Sequence, residues 1–218
     1  MPSHAPSNLT AWTLLSLPLL LVVGACYAFL GNEAAVAASF AAWRPEHGDA
    51  VRLITLYTNW GNPAVYLVYA GILARGLRHK RRDLTAFALA YLAGQLLISA
   101  ALGRMLKVGL GRPRPGVGGP FIPWSLDAAH NSLPSGHSTE MTLQTAPLAL
   151  RARGWLTPLL LGLSLGLMAA SRIILGAHHP SDVLGGFMLG GLVALFIQWL
   201  APRLSNFLAA RLPETWSV

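Results

Sequence analysis

The run Ser171-Arg172-Ile173-Ile174-Leu175-Gly176-Ala177-His178-His179-Pro180-Ser181-Asp182 sets an arginine, a histidine and an aspartate at the boundary between two strongly apolar segments. Charge at such a boundary is costly unless a function uses it. The planar fork of Arg172 suits an oxyanion. His178 and Asp182 are four residues apart, within mutual reach if the chain turns helically between them. Pro180 suits a first helical turn, and Asp182 falls in that turn, where negative charge is favoured. A carboxylate holding one ring nitrogen leaves the other aimed and more basic. That chemistry is an oriented nucleophile or base beside an anion clamp. Taken alone, the same residues equally describe a helix start with a capping aspartate and a snorkelling arginine.

The elements that must position them are membrane segments. The 218 residues are 54% hydrophobic and only 11% charged, with mean hydropathy +0.50. A soluble domain carries about 25% charged residues, so the composition is that of an integral membrane protein. The net charge of +8 then fits membrane orientation and anionic lipid contact. No aromatic-basic interleaving of the kind that binds single strands is present, which sets nucleic acid aside as a partner. The single cysteine, Cys26, excludes an internal disulfide.

Six spans are expected. Leu9–Leu30 is the first, and it lacks the basic start of a secretory signal. Val23-Gly24-Ala25-Cys26 loosely resembles a lipoprotein cleavage site but lacks the same feature. Residues 32–59 read as an interfacial, partly helical connection, with Trp43, Tyr57 and Trp60 suited to headgroup level. A short second span opens at Asn62-Pro63 or somewhat earlier, near residue 55, and runs to about Leu77. Leu84–Leu106 is the third. The fourth begins at His137 and ends at Arg151; its Thr139, Glu140, Thr142, Gln144 and Thr145 require an inward face. Trp155–Leu175 and Pro180–Leu200 complete the set. Gly162/Gly166 and Gly186/Gly190 have the small-xxx-small spacing of close helix packing. The chain reads as one membrane domain, 1–218, in which residues 1–60 hold the first span and the connection and residues 61–202 form the motif-bearing core.

Counting crossings puts the loops at 78–83 and 151–154 on one side. Both are basic, through Arg78, Lys80, Arg81, Arg82, Arg151 and Arg153, and the positive-inside rule makes that side cytoplasmic, with both termini. Lys107, the Gly/Pro-rich connection to residue 136, His137 and the His178 stretch then meet at the outer face. Three cations, Lys107, Arg114 and Arg172, gather there with little negative charge beyond Asp182, so the site lacks an anion. A phosphate fills that deficit. Ser135-Gly136-His137 at a helix start adds N–H donors and the positive end of the helix dipole. His137 is a second imidazole, so acid and nucleophile can be different residues.

Lys107-x6-Arg114-Pro115, Pro134-Ser135-Gly136-His137 and Ser171-Arg172-x5-His178-x3-Asp182 together resemble the three signature motifs of the type 2 phosphatidic acid phosphatase superfamily. The resemblance covers about residues 84–200. It implies an all-α, six-helix membrane core of the phosphatidic acid phosphatase type 2/haloperoxidase-like kind, and phosphate ester hydrolysis with neither metal nor other cofactor. By that resemblance His178 attacks phosphorus and forms a phosphohistidine, Asp182 orients it, and His137 protonates the leaving oxygen and then activates water. Lys107, Arg114, Ser135, Gly136 and Arg172 hold the phosphoryl oxygens. The implied substrate is a lipid phosphate: undecaprenyl pyrophosphate, a lipid A phosphate, phosphatidylglycerol phosphate or phosphatidate. The implied location is a bacterial inner membrane with the active site facing the periplasm. A phosphotransferase to a second lipid, or a lipid-binding or transport protein on the same fold, are the alternatives.

Several residues have two readings. Arg112-Pro113 offers another register for the first motif, but the spacing favours Arg114 and leaves Arg112 as a solvated loop charge or headgroup contact. Arg104, one turn before Lys107, is an accessory headgroup contact or a snorkelling charge. Glu140 shares a helix face with His137 and Gln144; it pairs with a motif cation, tunes His137 or touches substrate, and a structural pairing is favoured. His178 and His179 are adjacent and do not face one way, so they are not read as a metal pair. Gly116, Gly118 and Gly119 fit a flexible lid better than a phosphate cradle. Asp127 and His130 fit exposed loop positions or substrate contacts.

Overall fold

A computed structural model describes residues 6–213 and 215–217, with the backbone alone at 97–100. Residues 1–5 of the polar start lie outside the described residues. The described chain is helical: α1 (Asn8–Ala25), α2 (Glu33–Glu46), α3 (Gly48–Arg78), α4 (Arg82–Ala93), α5 (Gly103–Leu110), α6 (Gly136–Ala149), α7 (Leu156–Ile174) and α8 (Pro180–Ala209). A π-helical turn, Cys26–Leu30, extends α1, and a longer one, Gly94–Leu102, joins α4 to α5. Among the described residues three helices are long and apolar enough to cross a bilayer: Asn8–Leu30, Leu156–Ile174 and Pro180–Ala209.

The second helix of the core begins earlier than expected. Gly48–Arg78 is continuous through Pro63, although a proline removes one backbone bond and crowds the preceding turn. Side chains on both sides of it are tied to other helices: before it Asn62 donates to Glu140 at 2.7 Å, and after it Tyr69 donates to the Gln144 carbonyl at 2.9 Å. The connection expected over 32–59 is therefore α2 plus the first turns of α3. Asn32 caps α2 through a hydrogen bond from Ala35 N, and Glu33 occupies the first turn, where the dipole favours it.

The most polar of these helices is also the most enclosed. In α6, Thr139, Thr142, Gln144 and Thr145 are all buried, as are Met141 and Leu143. The threonines donate to the carbonyls of Ser135, Ser138 and Met141, four residues back, which satisfies them without any outside partner. The inward face expected of this segment extends round nearly the whole helix.

Glycines set how closely the helices approach. A Cβ at Gly162 would lie 2.4 Å from the Leu14 carbonyl oxygen, and one at Gly190 2.4 Å from that of Thr139. These pairs seat α7 on α1 and α8 on α6, as the spacing implied. At Gly186 a Cβ would come within 2.5 Å of the Ser135 oxygen, at the very start of α6. Gly186→Ala is expected to destabilise by about 1–3 kcal/mol through overpacking, seen as a lower unfolding temperature in detergent. Gly24→Ala is the control: nothing lies within 4 Å of its Cβ, and stability should hold or rise slightly.

Candidate active site

The three signature segments meet where α5 ends and α6 and α8 begin. Asp182 lies in the first turn of α8, which opens at Pro180. Its backbone oxygen accepts from Ser135 N at 2.9 Å, so the starts of α6 and α8 are joined main chain to main chain. Ser135 is fully buried ahead of Gly136 and His137. Lys107, in the last turn of α5, donates to the Asn131 carbonyl at 3.1 Å. Arg114 donates to the carbonyls of Ala128 (2.9 Å) and Ala177 (3.2 Å). Arg172, in the last turn of α7, donates to Thr58 of α3 at 3.1 Å and keeps a buried Nε without a partner.

Lys107, Arg114 and Arg172 are within electrostatic reach of one another; all three reach His137, and Lys107 and Arg114 also reach His178. Among the described residues none of the three enters an ion pair. A cluster of partly buried cations without carboxylates is the electrostatic mould of an anion.

His178 is 3% exposed and its Nδ1 lies 3.8 Å from Asp182 Oδ2. That is a charge contact longer than a hydrogen bond. The expected direct hold of Asp182 on the ring is thus loose, because the carboxylate is already engaged. Oδ2 accepts from Ser132 Oγ (2.6 Å) and His179 N (2.8 Å), and Oδ1 from Arg112 Nη1 (2.6 Å). Burial drives the His178 pKa down to about 4; Lys107 and Arg114 push the same way, and Asp182 opposes them. The ring is therefore neutral, and its lone pair available, at ordinary pH.

Arg112 is not a solvated loop charge. Its side chain is 12% exposed and bridges Asp182 to Glu33 of α2, while Nη1 also donates to Ser181 Oγ at 2.7 Å. Glu33 accepts from both Arg112 and the Ser181 hydroxyl. Burial pushes its pKa up, but the Ser181 hydrogen bond and Arg112 outweigh that and hold it below the usual carboxylate range. Sequence reasoning missed Glu33, Ser132 and Thr58. Glu33 lies 149 residues before Asp182, and only its place beside a capping asparagine marks it as a helix start.

Glu140 pairs with amides, not with a motif cation: Asn62 (2.7 Å) and Gln95 (2.9 Å) donate to it, and Asn62 also reaches the His137 carbonyl at 3.4 Å. Arg104 is exposed, and its side chain makes no hydrogen bond among the described residues. Asp127 and His130 lie 3.6 Å apart around the turn Ala128–His130, whose carbonyls help seat Arg114.

Two imidazoles and three cations, none of them ion-paired among the described residues, lie together at the helix ends, an arrangement suited to an anion. Residues 84–205 match the PAP2 superfamily, and the chain belongs to that family. It is 34% identical over 134 residues to a lipid A 1-phosphatase of Rhizobium etli, a match covering 58% of this chain and 56% of that protein. It is 31% identical to the lipid A 1-phosphatase of Rhizobium johnstonii over 180 residues, 74% of this chain and 71% of that one. A decaprenylphosphoryl-5-phosphoribose phosphatase of Mycobacterium tuberculosis is 36% identical over 61% of this chain and 70% of its own length. The chain thus spans little more than half of the first relative. No solved structure matches.

Proposed function

We propose that this protein is a membrane lipid phosphatase that hydrolyses a lipid phosphate or diphosphate ester through a phosphohistidine. The observation that carries this reading is the set of three cations without carboxylate ion-pair partners among the described residues, Lys107, Arg114 and Arg172, gathered beside His137 and a buried, neutral His178. The names of three relatives, two lipid A 1-phosphatases and a decaprenylphosphoryl-5-phosphoribose phosphatase, support the substrate class.

In this mechanism a His178 ring nitrogen attacks phosphorus in line. The N–P bond forms as the ester P–O bond breaks, and His137 delivers its proton to the leaving oxygen. Water then gives a proton back to His137 and attacks phosphorus, releasing phosphate and restoring His178. Lys107, Arg114, Arg172 and the amides at the start of α6 neutralise the charge spread over the phosphoryl oxygens, which is most of what this reaction needs. Asp182 steadies the imidazolium as it forms. Protein cations supply the electrostatics, so the scheme assigns no step to a metal.

The orientation belongs to the same proposal: six membrane segments, the site at the periplasmic face and the termini cytoplasmic. It is supported by the placement of the basic loops. Ser217 bonds the backbone of Lys80 and Arg82, and Asn8 and Arg151 line one pocket, which brings both chain ends beside the basic loops.

The test is phosphate release from a panel of lipid phosphates by protein purified in detergent, with and without chelator. Release of phosphate from at least one, unchanged by chelator, is expected. Activity lost to chelator and restored by a divalent ion would overturn the mechanism. The pH profile is a separate check. Protonated His178 cannot attack, so the acid limb of kcat/KM, corrected for substrate ionisation, should lie near pH 4. An acid limb near the ordinary imidazole value of about 6.5 would point to a different base.

A further inference from the structure

A cavity of about 550 Å³ lies between α2, the loop after Arg112 and the turn joining α7 to α8. Its size is that of a small-molecule site, well beyond one phosphate. One wall is a stripe of Ala34, Ala37, Ala38 and Ala41 on α2, spaced as one helix face. The opposite side of α2 is spent on the core, with Val36 buried and Phe40 packed against it. Small side chains thus keep the space open.

Three guanidinium groups line this cavity: Arg44, Arg112 and Arg114. Arg112 is neutralised by Glu33 and Asp182. Arg44 and Arg114 are not, among the described residues. Both are seated on the same turn of main chain: Arg44 donates to the Ile174 carbonyl at 2.9 Å and Arg114 to that of Ala177 at 3.2 Å. Gly176, at φ +68°, sits between them, and a Cβ there would come within 2.8 Å of Arg44 Nη1. The slot that holds Arg44 exists because that residue is glycine. Arg114 also belongs to the cation cluster beside the imidazoles, so the cavity is continuous in charge with the reaction site.

We propose that this cavity is a headgroup subsite for a second anionic group on the substrate, with Arg44 as its own cation and Arg114 shared with the scissile phosphoryl group. The inference rests on the phosphatase reading and narrows it. The substrate class becomes a lipid diphosphate, or a lipid whose polar head carries a second phosphate, in preference to a lipid with a single phosphomonoester. The fold supplies a phosphoryl site through its motifs; α2, which lies outside the matched region, adds the selectivity.

The test measures binding, which does not require turnover. Orthophosphate, pyrophosphate and a hexose 1,6-bisphosphate are titrated by calorimetry into detergent-purified wild type, Arg44→Gln and Ala38→Phe. In wild type at least one two-anion ligand should bind tenfold or more tightly than orthophosphate; whether it is the adjacent or the separated pair gives the spacing. Arg44→Gln should erase that preference and leave orthophosphate binding within about twofold. Since Arg44 also caps α7, Ala38→Phe serves as the second variant: it fills the cavity from an exposed position, keeps the charge, and should erase the preference too. Equal affinity for all three ligands in wild type would overturn the subsite, as would a uniform loss or no loss in both variants. Failure of the phosphatase reading looks different: no phosphate release from any lipid, with the two-anion preference intact.

Discussion

His178→Ala is expected to lower phosphate release by on the order of 10⁴-fold or more, as removal of a covalent nucleophile does. The protein should stay folded and still bind orthophosphate or vanadate. Both expectations follow from the site's geometry. His178 occupies the loop between α7 and α8, and its Nδ1 has no hydrogen-bond partner, so truncation breaks no such bond at that nitrogen. Lys107, Arg114 and Arg172, the groups proposed to hold the anion, are anchored elsewhere, on Asn131, Ala177 and Thr58. Activity within tenfold of wild type, or loss of anion binding along with activity, would remove His178 from the nucleophile's role.

His137→Ala is the second large effect, about 10²–10⁴-fold on lipid substrates, the usual worth of a positioned acid or base. The two halves of the reaction can be separated by the leaving group. An aryl phosphate such as p-nitrophenyl phosphate departs without a proton, so the variant should still transfer phosphate to His178. It should then stall, because nothing activates water. A burst of nitrophenol equal to the enzyme concentration, followed by slow turnover, is expected; an alkyl phosphate should give no burst. Equal slowing on both substrates with no burst would make His137 a binding residue only.

Much of this was legible in the sequence. The apolar runs that became α1, α7 and α8 are unbroken and long, and the glycine pairs on α7 and α8 mark real close approaches. The start of α3 was not legible. Asp49 and Arg52 interrupt the apolar pattern, and Asn62-Pro63 has the look of a helix start, yet Tyr57, Thr58 and Asn62 carry the helix through by bonding α7 twice and α6 once. Tertiary contacts overrode a local signal.

The same distinction runs through the site. Lys107, Ser135, Gly136, His137, Arg172 and Asp182 come together because each sits at the end of a recognisable element. Arg112 and Arg114 are two apart in an irregular segment, and nothing local says that one serves the anion cluster while the other holds Asp182. That division depends on Glu33, whose carboxylate arrives from a different part of the chain. A two-residue register choice can be made from spacing; a three-residue charge bridge from one loop to the starts of two distant helices cannot. The alanine stripe on α2 has the same character, an ordinary helix face until the cavity beside it is seen.

The most direct measurement is to find the phosphate in flight. Wild-type protein mixed with a good substrate and quenched in alkali should carry an acid-labile, base-stable phosphoryl group, and peptide mapping should place it on His178. A quenched enzyme that turns over yet never holds covalent phosphate, or holds it on another residue, would contradict the account.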